Sequence, residues 1–251
     1  MSELLKWFIV PDVHIPKHDK KKWSITKQII EDWQPDTVSL IGDFDDAEGP
    51  SRWSKDTIEE AEQRLSKVAG EVNQELAALR RIVPHARITW SLGNHEQRWM
   101  DYVKKNAKVL DGWFSWDKVY DIKENDIELF EYNSPPVKMY GGFYVHHGMV
   151  VTKHTGQSAK GEHDNYGVSG FSGHTHRAGS YAKTDMTGTK MWFEVGHLAD
   201  VNQMDYVVVP NWQHAFAYAY VDLKANRVYP FLSYFQGNSV VFPDSEKKIY
   251  R

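Results

Sequence analysis

Apolar positions along this chain fall into two regimes. In the first hundred or so residues, short apolar runs alternate with longer amphipathic ones. Leu5 to Val10 is an apolar run that stops at Pro11, the length of a buried strand. From Asp19 to Trp33, apolar residues recur at Trp23, Ile25, Ile29, Ile30 and Trp33, a helical rhythm. Thr37 to Ile41 and Arg87 to Leu92 predict two further strands. A long helix, Thr57 to Arg81, is expected between them, and another from about Glu96 to Lys105. Thr57 and Glu60 have the spacing of a capping box at the start of the long helix. The order β-α-β-α-β implies a parallel sheet with helices on its faces.

The second half reads differently. Phe143 to His147 and Val168 to Ser172 are strand-like, and Tyr181 to Thr184 and Lys190 to Val195 flank Gly188 as a hairpin. Ala215 to Leu223 and Val228 to Phe235 surround a turn at Lys224 to Asn226. These later strands are expected to be largely antiparallel. The stretch 106–136 is the least regular and reads as an insertion packed over the sheet, with Trp113, Phe114 and Trp116 packing on it or, as the alternative, stacking bases. No repeat or Gly/Ser/Pro-rich linker interrupts the chain. The expectation is one domain, 1–251, of α/β class with an α+β-like second half.

Composition narrows the class. A chain of 251 residues can bury a sizeable core, and 41% hydrophobic with 25% charged residues is ordinary for a globular protein. No apolar run has the length of a membrane span, and the start lacks the basic region and cleavage site of a signal peptide, so no membrane partner is expected. The absence of cysteine excludes disulfides, thiolate metal sites and cysteine nucleophiles, and permits a reducing cytoplasm. A net charge of -4 argues against a dedicated non-specific nucleic-acid binder, though a local basic patch is compatible with it.

The chemistry gathers where the predicted strands stop. Asp12-Val13-His14 follows the first strand, Gly42-Asp43-Phe44-Asp45-Asp46 the second, and Gly93-Asn94-His95-Glu96 the third. His146-His147-Gly148 and Gly173-His174-Thr175-His176 follow later strands. In a parallel sheet such ends lie side by side on the edge where α/β ligands bind. Residues two apart on an extended chain point the same way, so Asp12 with His14, and His174 with His176, are each expected to converge on one place. The four glycines, 42, 93, 148 and 173, are expected to let the backbone turn beside them. Imidazole, carboxylate and amide oxygen together suit Mn, Fe, Zn or Ni better than Ca or Mg. Adjacent His146 and His147 face opposite ways on a strand, so only one should be a ligand.

Taken in order, D-x-H, G-D-x-x-D, G-N-H-E, H-G and G-H-T-H resemble the calcineurin-like metallophosphoesterase family over about two-thirds of the chain, Asp12 to His176. The resemblance implies a four-layer αββα sandwich with a mixed sheet and a metal site at the strand carboxyl ends. It implies Asp12, His14 and His176 as ligands of one divalent metal, Asn94, His147 and His174 as ligands of another, and Asp43 as their bridge. Manganese is the first choice of metal, with Fe, Zn and Ni as alternatives. His95 corresponds to the histidine that protonates the leaving group and Asp46 to the aspartate that orients it. The Arg-Gly that follows in the phosphoprotein-phosphatase branch is replaced by Ala47 and Glu48, so protein phosphatase activity is not implied. A water activated between two metals about 3.5–4 Å apart would attack phosphorus. The compact branch carried by phages and related to DNA-repair exonucleases is the nearest in character. It points to a phosphodiester in DNA or a nucleotide as substrate, in the cytoplasm of a bacterium or phage-infected cell. A phosphomonoesterase, or a non-catalytic scaffold like the retromer subunit that shares the fold, are the alternatives.

Other polar residues have plainer readings. Asp45 and Asp46 are equally at home as turn carboxylates. Glu96 suits the helix dipole, and Arg98 an ion pair on a helix face or a substrate phosphate. Lys17, Lys20, Lys21 and Lys22 read as a solvated face within reach of a phosphate backbone. His154, His163 and His197 read as ordinary polar or core histidines, and His18, His85 and His214 carry no functional signal.

Overall fold

The computed structural model describes residues 4–50, 65–110, 112–204, 210–244 and 247–251. The first turns of the expected long helix, with Thr57 and Glu60, lie outside these residues.

Three strands in the first half form as the apolar runs require: β1 (Leu5–Val10), β2 (Thr37–Leu40) and β3 (Arg87–Ser91). Between and after them come α1 (Lys20–Trp33), α2 (Leu65–Ile82) and α3 (Asn94–Asn106). The Asp19 carboxylate caps α1 by accepting the Lys21 and Lys22 amides, and Gln34 ends it in a left-handed conformation. A short helix, α4 (Trp116–Val119), leads to β4 (Ile127–Phe130). Then follow β5 (Val137–Tyr140), β6 (Phe143–Val145), α5 (Gln157–Tyr166), β7 (Ser169–Ser172), β8 (Ala178–Asp185) and β9 (Gly188–Val195). The chain closes with β10 (Ala215–Asp222), β11 (Arg227–Tyr234) and a small pair, β12 (Val240–Val241) with β13 (Ile249–Tyr250).

The strands form two main sheets, ordered β11-β10-β1-β2-β3-β4 and β5-β6-β7-β9-β8. β1 to β4 are parallel, and β10 and β11 add antiparallel to the β1 edge. The expectation of largely antiparallel later strands holds for β10, β11 and the β8–β9 hairpin. It fails at the centre of the second sheet, where β6, β7 and β9 are parallel. The helix α5 supplies the crossover from β6 to β7, and its scarcity of apolar residues hid it. The stretch 106–136 is also not simply laid over the sheet: it supplies β4, which pairs in parallel with β3 as an edge strand. Trp116 is buried and stacks on Tyr120, as the packing reading requires, whereas Trp113 is 63% exposed.

Alternation along the strands builds two cores. On β1, Phe8 and Val10 face the helices with Ile29, Trp33, Val72 and Leu76. Trp7 and Ile9 face the other way and meet Phe143, Val145, Phe171, Phe193 and Val195 of the second sheet. On β10, Phe216 and Tyr218 pack on the helical side, with Phe216 stacked on Phe8 at 4.9 Å, while Ala217, Ala219 and Val221 line the seam between the sheets. Small residues there let two sheets carrying large aromatics close up. Tyr166 of α5 stacks on Trp192 over the outer face of the second sheet, completing the αββα order.

Candidate metal and catalytic centre

The carboxyl ends of β1, β2 and β3 meet those of β6 and β7, and all nine predicted site residues are brought together there. Asp12, His14, Asp43 and His176 form one group, and Asp43, His147 and His174 another; within each, the ligand atoms lie within 4.8 Å of one another. Asn94 joins the second group, its Oδ1 2.9 Å from His147 Nε2. Asp43 is common to both. Its Oδ2 is 3.3 Å from His147 Nε2 and 3.9 Å from His14 Nε2, while its Oδ1 accepts the His95 amide at 2.9 Å.

Convergence is achieved by another route than extended alternation. His14, Asp43, His174 and His176 adopt φ values of 58, 45, 69 and 57°, all left-handed. Asp12 and His14 do reach one group, but His174 and His176 are split between the two. Such conformations cost about 1–3 kcal/mol each in a residue with a side chain and persist where surrounding structure fixes them, commonly at functional sites. Gly93 and Gly173 serve close approach rather than turning. A Cβ on Gly93 would overlap Asp43 Oδ1, and one on Gly173 would overlap Asp12 Oδ1.

The donor set fits divalent cations. His14 Nδ1 is 2.9 Å from Asp46 Oδ1, and His147 Nδ1 is 2.9 Å from the Ile41 carbonyl oxygen. With each outer nitrogen donating its proton, each Nε2 presents a lone pair inward, the arrangement of metal-ligating histidines. His14 Nε2 then faces His176 Nε2 at 2.9 Å, and His147 Nε2 faces the Asn94 oxygen. Asp12 Oδ1 is buried without a hydrogen-bond partner. Acceptors crowded against acceptors are satisfied by cations between them.

The electrostatics divide the groups. Burial opposes charge on His147, but Asp43 overrides it and raises the imidazole to about 10. Burial pushes His176 down to about 3, and burial with the neighbouring His147 pushes His174 to about 4. Burial opposes charge on His95 as well, yet Asp43 and Asp46 raise its pKa. Asp46 stays well below the usual carboxylate range despite its burial, held by His14 and His95.

His95 is in neither of these two groups but in a third, with His14 and Asp46; its Nδ1 is 2.5 Å from the Asp46 carbonyl oxygen and 3.4 Å from Asp46 Oδ1. The expected role of Asp46 is thereby divided. Its carboxylate lies nearer His14, and its carbonyl orients His95. Asp45 is the turn carboxylate of the pair, accepting the Ala47 amide at 2.7 Å, the Trp99 indole at 2.9 Å and the Tyr120 hydroxyl at 2.5 Å.

Glu96 does more than face a helix dipole. Fully buried, it accepts the amides of Gly93, Asp43 and Asp45 at 2.6, 3.1 and 2.8 Å, clamping the loops after β2 and β3 together. Its place three residues after a helix-starting glycine was the available signal. Tyr132 and Trp212 had none: their rings lie 6.0 Å from His147 and 4.5 Å from His176. His197, read as a core histidine, is buried and stacks on His176 at 5.0 Å. His146 accepts the Gly148 amide, consistent with a sheet residue.

The basic run does not form one continuous patch. Lys17 pairs with Glu48, and Lys22 is buried against Asp19, leaving Lys20 and Lys21 exposed. Arg177 is committed to the Thr152 and Lys153 carbonyls. Arg98 is not in an ion pair among the described residues; its two terminal nitrogens lie 2.9 Å from the two ring nitrogens of His95.

Comparison with known proteins agrees with this geometry. A family model described as calcineurin-like phosphoesterase matches residues 5–242. The Gene 54 protein of Mycobacterium phage D29 is 30% identical over 232 residues, 88% of this chain and 90% of the phage protein. The Gene 54 protein of Mycobacterium phage L5 is 30% identical over 224 residues, 85% of this chain and 88% of the relative. Vacuolar Protein Sorting 29 from Cryptosporidium parvum superposes with a TM-score of 0.53 at 14% identity, covering 94% of each chain, a likeness of fold.

Proposed function

The chain belongs to the calcineurin-like phosphoesterase family, and on that premise we propose that it hydrolyses phosphodiesters of nucleic acid or nucleotides. The observation that carries the reading is that Asp43 is shared by the two ligand groups, its Oδ2 near both His147 and His14, with His95 held on the Asp46 side. Asp12, His14, Asp43 and His176 would hold one divalent ion, Mn foremost, and Asp43, Asn94, His147 and His174 a second. Bound there, such ions supply charge stabilisation and a water nucleophile of lowered pKa.

The chain's own residues do the rest. His95, protonated through its place beside Asp43 and Asp46, gives a proton from Nε2 to the departing oxygen. Asp46 holds the opposite nitrogen through its carbonyl and fixes the tautomer of His14 through its carboxylate. Glu96 keeps the two loops that carry Asp43 and His95 in register.

A diester carries one negative charge, which the two ions suffice to neutralise. Arg98 is the observation that favours the second reading, a phosphomonoesterase, because a dianion calls for an additional cation. The retention of every ligand position counts against a scaffold role. The experiment is a comparison of kcat/KM for bis-nitrophenyl phosphate and nitrophenyl phosphate with the Mn-loaded protein. Faster hydrolysis of the diester is expected. A clear monoester preference overturns the choice, and no hydrolysis of either under saturating Mn overturns the enzymatic reading.

A further inference from the structure

Arg98 is a half-buried guanidinium on α3 whose charge no carboxylate among the described residues answers. Its terminal nitrogens lie against His95 Nδ1 and Nε2, both at 2.9 Å, and one donates to the Asp46 carbonyl oxygen at 3.3 Å. The carboxylates around it are already engaged. Asp46 faces His14 and Lys17, Asp43 faces His147 and the His95 amide, and Asp101 accepts from Gln97. A guanidinium is donor-only and always charged, and it matches phosphate oxygens with two parallel N–H groups. Placing one against an acid histidine is unfavourable unless an anion arrives to take it.

Position decides which anion. Arg98 does not contact Asp12, His174 or His176, around which the reacting phosphoryl group would be held; it lies on His95. In the proposed reaction His95 faces the departing oxygen, so Arg98 stands beside the leaving group.

We propose that Arg98 binds a second phosphate carried on the leaving-group side of the substrate, one sugar beyond the phosphate that reacts. This rests on the phosphodiesterase reading and deepens it: the substrate class becomes a nucleotide chain or a nucleotide with two separate phosphates. Arg98 then serves as a specificity residue, swinging from His95 to the second phosphate and freeing Nε2 for the leaving oxygen.

The test is binding, with kinetics alongside. Thymidine 3′,5′-bisphosphate and the two thymidine monophosphates are titrated into Mn-loaded wild type and Arg98→Ala by calorimetry. The wild type is expected to bind the bisphosphate about tenfold to a hundredfold more tightly than either monophosphate, the worth of one charge-assisted contact. In Arg98→Ala that preference should disappear, and Arg98→Lys should restore part of it. An equal preference in wild type and Arg98→Ala, or an equal loss for all three ligands, overturns the proposal. Hydrolysis of bis-nitrophenyl phosphate, which has no second phosphate, is followed in the same preparations. Its absence in the wild type would reject the diesterase reading, while the binding comparison still judges Arg98.

Discussion

The two sheets contribute opposite chemistry to one centre. The loops of the first sheet bring every acid of the site, Asp12, Asp43, Asp46 and Glu96, together with His14, Asn94 and His95. The loops of the second bring only imidazoles, His147, His174 and His176. Their supports differ as well. In the first, both oxygens of Glu96 are occupied, Oε1 by the Asp45 amide and Oε2 by those of Asp43 and Gly93. In the second, Glu162 accepts the Met149 and Val150 amides through Oε1 alone, and its Oε2 is buried without a partner. The first region is a preorganised carboxylate half-site, and the second is a set of imidazoles that completes it. Asp43 is the atom-level join, so cations there would tie one sheet to the other.

The largest expected effect separates joining from proton delivery. Asp43→Asn removes the carboxylate shared by both groups, so elemental analysis should fall from about two Mn per chain to less than one, with loss of turnover. His95→Ala should keep both ions and lower turnover by about 10²- to 10⁴-fold, with a smaller loss for nitrophenol leaving groups. Equal metal loss in the two variants would erase the distinction between bridge and acid.

A smaller effect sharpens the contrast between the two clamps. Glu96→Gln turns an N–H₂ group toward backbone donors and should destabilise folding by about 1–3 kcal/mol in urea unfolding. Glu162→Gln can place its nitrogen where Oε2 now has no partner, and should change stability far less. Equal destabilisation would mean that the two regions are built alike.

The smallest effect is a proton. His147, raised to about 10 by Asp43, is charged at pH 7 in the metal-free protein, whereas His174 and His176, pushed to about 4 and 3, are already neutral. A raised histidine adds stability that is full below its ordinary value of about 6.5 and lost as the pH rises through its folded value. A cation entering the second group must displace that proton, so affinity there should rise with pH. Calorimetry in buffers of different ionisation heat should show about one proton released per chain. Release of none would mean that His147 meets the metal already neutral.

Much of this centre is written in the sequence because its signals are local. Apolar runs of strand length, each followed by Asp, Asn or His and most by glycine as well, place the loops at strand ends whatever else the chain does. An extended run must bury its faces, and polar residues that follow it emerge at the sheet edge. The same locality fixed α1 and the hairpin of β8 and β9. What needed the folded chain was every relation between segments distant in sequence. Parallel pairing of β6, β7 and β9 depends on the α5 crossover, and the role of β4 depends on an empty edge beside β3. The sorting of His174 and His176 into different groups depends on left-handed backbone conformations that alternation does not foretell. Glu96 is a clamp only because Asp43 and Asp45, more than fifty positions earlier, return to it. Residue type and spacing determine which ligands exist; long-range packing, which brings one sheet's carboxylates against the other's imidazoles, determines which of them share a site.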